Sequence, residues 1–166
     1  MGVESGIYKF LLVLHILSAI VGFGGVILNG LHGAQAKKRK GTEGLAIIES
    51  TIGVSNVAQK FIYAVFVLGI LLIITSDETW KFSQVWLSAS MGLYIVAVGI
   101  SHGVVSKNVH RMRDLMAEMA GGPPPVGGPP PQAAEMEQRG KKVAGASMVL
   151  DVILVTILAL MIWKPL

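Results

Sequence analysis

Four stretches of the chain are apolar almost without interruption, and the polar residues gather between them. They run over about residues 8–31, 52–75, 85–105 and 143–163. A crossing of the hydrocarbon takes about 20 apolar residues at about 1.5 Å rise each, so every stretch is long enough to span a bilayer. Without water to satisfy the backbone inside lipid, each must be a helix. The pattern predicts an all-α, integral membrane four-helix bundle, a single membrane domain over residues 1–166. The third helix is expected to continue as SKNVHRMRDLMAEM to about residue 119. GGPPPVGGPPPQ, within about 120–132, then reads as a linker of polyproline II character, because proline lacks the amide donor and glycine is costly to order. It is a spacer or, less often for such runs, a ligand for a proline-recognition partner. AAEMEQRGKK restarts the helix that enters the fourth crossing. In the first loop Gly41 or Thr42 is placed to cap a short helix ahead of the second crossing.

Inside the crossings the polar and small residues are not scattered. His15, Ser18, Gly22, Gly25, Asn29 and His32 alternate at spacings of three and four, which sets them on one helical face. Ser88, Gly92, Ile95, Gly99, His102 and Ser106 repeat the device in the third helix, and Gly140, Ala144, Ser147 and Asp151 in the fourth. The second adds Ser55, Gln59 and Gly69. In lipid, such faces turn toward other helices, where small residues allow close approach.

Ionisable groups within a bilayer are costly and functional by default, which singles out His15, His102 and Asp151. Helix rise sets His15 about 10 Å below the outer edge and His102 about 26 Å below it. That separation prevents the two histidines from ligating one haem or one metal ion. His102 and Asp151 differ by about 8 Å in depth, and their side chains lean toward each other. They are expected to form a buried polar pair, which either fixes helix register or moves protons as part of a small proton-coupled transporter. His15 lies level with Met91, and a His/Met set suits haem b or copper. Against that, methionine is ordinary packing filler, and Ser88 or Ser90 would satisfy the imidazole. His32 and His110 fall at the edge and are expected at the interface only.

Charge adds orientation. Lys37, Lys38, Arg39, Lys40 and Lys60, the last read as the foot of the second helix, lie on one side with Lys107, Arg111, Arg113, Arg139, Lys141 and Lys142. Only Lys9, Lys81 and Lys164 lie on the other. The positive-inside rule makes the basic loops cytoplasmic and both termini extracytoplasmic. The net charge of +4 is thus topology and gives no case for nucleic acid. KKRK would at most touch anionic lipid. Trp80, Phe82, Trp86 and Trp163 are expected to form an outer aromatic belt. The chain has no cysteine, which excludes disulfides, thiolate metal sites and cysteine-linked haem. The first helix lacks the order of a cleavable signal, because its basic cluster follows the apolar run.

LLVLHILSAIVGFGG with its early histidine, the basic run after it, and the closing LALMIWKPL resemble a widespread bacterial group of four-helix integral membrane proteins known only as a domain of unknown function. That group is distantly similar to copper-resistance D proteins and to HemJ-type protoporphyrinogen oxidases. The resemblance covers nearly the whole chain and implies residence in the bacterial cytoplasmic membrane. It implies that His15 matches the first-helix histidine that HemJ-type proteins associate with haem. The lysine that those proteins use in a later helix has no counterpart within a crossing, and no His- or Met-rich copper cluster is present. No nucleophile–base pattern, phosphate loop or carboxylate-rich metal pattern appears either. The expected function is a structural or accessory subunit of a homo-oligomer or larger membrane complex in the lipid bilayer. A haem-binding protein using His15 is the alternative, and a transporter using Asp151 and His102 the second alternative.

Overall fold

A computed structural model describes residues 2–36, 38–39, 41–122 and 131–165. Helix α1 is Gly6–Ala36, α2 Gly41–Thr75, α3 Val85–Ile100, α4 Lys107–Gly121 and α5 Pro131–Trp163, with a π-helical turn, Ser101–Ser106, joining α3 to α4. Among the described residues four helices are long and apolar enough to cross a membrane, with α3, the π turn and α4 counting as one. The fold is therefore an all-α membrane bundle. The Gly/Pro-rich linker expected within 120–132 falls mostly outside the described residues. In place of a short helix and a separate crossing, α2 is one continuous helix that starts at Gly41, a glycine at φ +63°.

The helices associate as two pairs. α1 lies along α2 over its whole length, and α3 lies along α5. Glycine makes the first pair possible. A Cβ on Gly25 would stand 2.6 Å from Ala58 Cβ, and one on Gly22 3.0 Å from Ile62 Cγ1. Asn29 Nδ2 donates to Ser55 Oγ at 2.8 Å between the same helices. The stripe read from the sequence of α1 is thus the face that meets α2.

Between the pairs, aromatic rings act as spacers. Phe66 of α2 stacks on Tyr94 of α3 at 4.8 Å, and the Tyr94 hydroxyl donates to the Ile62 carbonyl at 3.2 Å. At the basic end, α2, α4 and α5 extend past the apolar stretches and close around Ile48, Met112 and Met116, with Leu45, Val109, Met136 and Val143 packed about them. Arg139 reaches Glu135 at 2.7 Å and the Asn108 amide oxygen at 3.0 Å, and Arg111 meets Glu135 at 3.3 Å and Glu118 at 3.2 Å. These contacts tie α4 to α5. Hydrogen bonds from Arg139, then Arg111, hold the Glu135 carboxyl below its ordinary value.

At the opposite end the chain turns through Ser76, fully buried, whose hydroxyl accepts the Trp80 backbone N–H at 3.0 Å. Trp80 Nε1 donates to the Tyr8 hydroxyl at 2.8 Å, and the Trp80 and Trp86 rings meet edge to face. Lys164 Nζ stands 3.9 Å from the centre of the Trp80 ring, a cation–π contact that fastens the end of α5 to this turn. The expected aromatic belt is therefore divided. Trp163 is exposed, whereas Trp86 is buried in the packing rather than turned to lipid.

Candidate functional site

Three places carry the intramembrane polar groups. His15 packs from α1 onto Gly69 of α2, where a Cβ would stand 3.4 Å from its Cε1. Gly69 is therefore what admits the ring. Nδ1 is enclosed without a hydrogen-bond partner, and it faces the Val65 carbonyl without meeting bonding geometry. Nε2 is not enclosed and has no partner in the chain. Asn29 Oδ1, about four turns further along the same seam, is also buried and unpartnered. The serines expected to satisfy His15 do other work. Ser90 donates to the Trp86 carbonyl and Ser88 to the Phe82 carbonyl. Met91 stands half-buried on α3, one turn from Tyr94. His32 lines an open cleft with Gln35, Ala46, Ile47 and Ser50.

His102 sits within the π turn, at whose start the Ser101 N–H is shared between the Ala97 and Val98 carbonyls. Its Nδ1 is 2.9 Å from the Val98 carbonyl. A carbonyl only accepts, so Nδ1 carries a proton. Nε2 lies 2.8 Å from the Tyr63 hydroxyl and within hydrogen-bond reach of the Gln59 amide, and the Tyr63 and His102 rings stack. Gln59 and Tyr63 both come from α2. The sequence offered Gln59 only as one of several polar residues, and Tyr63 was not singled out. Their spacing of four beside a facing histidine is the signal that would have found them. A π turn inside a crossing is itself frequent at functional sites.

Asp151 is exposed on α5 and has no partner among the described residues. The structure therefore does not join it to His102, whose ring nitrogens are taken by Val98, Tyr63 and Gln59. Both residues are exposed rather than buried together. The pair on which a proton-coupled transporter would rest is not formed within one chain. The α3 stripe differs from expectation in the same way. Ser88, Gly92, Ile95, Gly99 and His102 are all exposed, and a Cβ on Gly92 or Gly99 would meet nothing within 4 Å. Larger residues, Trp86, Leu87 and Tyr94, fill the internal contacts of α3, because they bury more area than glycine does. The small-residue face is left outside. Among the described residues no three His, Asp or Glu side chains are grouped to hold a metal ion.

Residues 9–165 match the family described as predicted integral membrane protein (DUF2269). The chain belongs to this family. DUF2269 membership covers nearly the full length and agrees with the four apolar helices, so the chain is an integral membrane protein. No curated protein and no solved structure matches the chain. The family description carries no reaction with it. What this chain positions is a histidine on a tyrosine and an amide, a second histidine whose Nε2 is not enclosed, and a carboxylate on the outer surface of a crossing.

Proposed function

We propose that this protein works as a structural or accessory subunit, assembled in the membrane with copies of itself or with other membrane proteins. One observation carries this reading: Asp151 is exposed about 12 residues from the outer end of α5, at hydrocarbon depth. A carboxylate there is costly against lipid and calls for a protein surface over it. The exposed glycine face of α3 supports the same reading, since small residues are what close helix contact in membranes requires. The distribution of Lys and Arg supports a bacterial cytoplasmic membrane location with the basic loops inside. The test is particle mass in nanodiscs or mild detergent. A protein mass above the 17.6 kDa of one chain is expected once lipid or detergent mass is subtracted, and a uniform single-copy particle overturns the reading.

A second reading has its own observation. The His15 ring backs onto Gly69 of α2, and its Nε2, unlike Nδ1, is not enclosed, which leaves one ring nitrogen able to meet a ligand. His15 would hold haem b as an axial ligand, and the haem would supply one-electron chemistry. Met91 of α3 is the candidate for a second ligand. Protein purified from haem-supplied cells should show a Soret band that His15→Ala removes. A colourless, folded preparation rejects haem binding.

A further inference from the structure

The strongest unpartnered feature is a pair of matching helix faces. On α5, Ala144, Met148, Asp151, Val155, Leu158 and Ile162 recur at spacings of four and three and are all exposed. On α2, Gly53, Val57, Lys60, Val67, Leu71 and Ile74 form a stripe of the same period, also exposed, with half-buried Ala64 filling the gap. Each stripe is apolar except for one charge, and the charges are opposite. Lys60, like Asp151, has no partner among the described residues.

Three further facts make the stripes complementary. Crossings alternate in direction, so α2 and α5 run parallel in copies that share an orientation. Setting Lys60 beside Asp151 brings Gly53 to Ala144, Val57 to Met148, Ala64 to Val155, Val67 to Leu158 and Leu71 to Ile162, with no slip in phase. The 3.5-residue period of both stripes is that of a left-handed helix seam. Depth agrees as well. Lys60 lies about 22 Å inward of Thr75 and Asp151 about 18 Å inward of Trp163 by helix rise, a difference that the lysine stem spans. The α2 helix is thus charged well inside its apolar stretch rather than at its foot. Within one chain α2 packs on α1 and α4, and α5 on α3 and α4, so neither stripe covers the other.

We infer that the α2 stripe of one copy docks on the α5 stripe of a second copy, with Lys60 paired to Asp151 across the interface. This rests on the assembly reading above and names its partner. An ion pair at this depth removes two lipid-exposed charges at once and fixes the register of the seam.

The absence of cysteine supplies the test. Val67→Cys in one tagged copy and Leu158→Cys in a differently tagged copy are co-expressed and oxidised in native membranes, with Ile20→Cys on the outer face of α1 replacing Val67→Cys as control. Neither position alters a charge, so folding is not at issue. The expected result is a disulfide between the two tags for the 67–158 combination and none for the control. Adding Asp151→Lys to the Leu158→Cys copy should lower the yield about tenfold, and Lys60→Asp in the other copy should restore it. A disulfide formed only within a single chain carrying both cysteines overturns the inference. So does the absence of any link in protein that still runs as a complex, in which case assembly stands and this interface does not. No link together with single-copy particles overturns both.

Discussion

The basic end of the molecule and its membrane-crossing part are built from the same continuous helices, yet they leave opposite accounts of their polar groups. At the basic end, a methionine-lined core closes between α2, α4 and α5, and Arg111, Arg139, Glu118, Glu135 and Asn108 satisfy one another. Within the crossings, His15 Nδ1 and Asn29 Oδ1 are buried without partners, and Lys60 and Asp151 stand unpaired on the outside. Water would tolerate the second arrangement and lipid does not. The part of the chain that is complete by itself is therefore the part outside the bilayer, and the part inside is shaped for something more.

The sharpest way to break this comparison is through its glycines. Gly25→Leu drives side-chain atoms into Ala58, where even a Cβ stands at 2.6 Å, and α1 must move off α2. We expect a loss of about 3 kcal/mol or more, seen as a large fall in the thermal midpoint in detergent. Gly92→Leu meets nothing within 4 Å and should leave that midpoint within about 0.5 kcal/mol of the parent, while lowering particle mass if α3 contacts a partner. Equal effects of the two would erase the distinction between an internal and an external small-residue face.

Next in size is the core at the basic end. Met116 is 7% exposed and packs with Ile48 and Met112, so Met116→Ala should cost about 2 kcal/mol. Met148, 71% exposed on α5, should tolerate alanine without measurable loss in the isolated chain. Thermal unfolding followed by circular dichroism checks both. A stable Met116→Ala would mean that the extended ends of the helices add nothing to the fold.

How far the sequence foretold these differences depends on the residue. The crossings were legible because hydrophobic length alone decides them, and the face of α1 because its spacing of three and four shows which residues share it. The face of α3 carries a stripe of equal quality but lies outside, since periodicity tells which residues share a face and not what covers it. The site of His102 was half legible. The histidine was visible, but the π turn leaves no mark in composition, and Tyr63 looks like any aromatic in a crossing. Lys60 reads as the foot of the second helix by charge alone, and counting inward from Thr75 is what places it at about 22 Å.

His15 offers a test of opposite sign. A buried polar atom without a partner costs about 1–3 kcal/mol, so His15→Leu should leave the isolated chain as stable as the parent or raise its thermal midpoint by a few degrees. A packing histidine that stabilised the α1–α2 seam would give a fall instead. The result separates a residue kept for the fold from one kept for a ligand, since only the second is expected to be replaceable in the empty protein.

The smallest effect belongs to the ion pairs at the basic end, and it sets the pH behaviour of that region apart from the crossings. Glu135 is held below its ordinary carboxyl value of 4.5 by hydrogen bonds from Arg139 and Arg111. A carboxyl depressed in the folded state adds stability that is fully present above its unfolded value, and that stability is lost as pH falls through the folded one. The link between α4 and α5 should therefore hold at neutral pH and loosen only below about pH 4.5, the value quoted for the free group. These side chains are partly exposed, so the loss is modest and should shrink further in high salt. Hydrogen exchange of α4 amides, compared at pH 6 and below pH 4 after correction for intrinsic rates, should rise, with the α1–α2 seam unchanged. Glu135→Gln should reproduce the faster exchange at pH 6. If exchange in the seam rises in parallel, the two regions unfold as one unit and the contrast between them is one of chemistry alone.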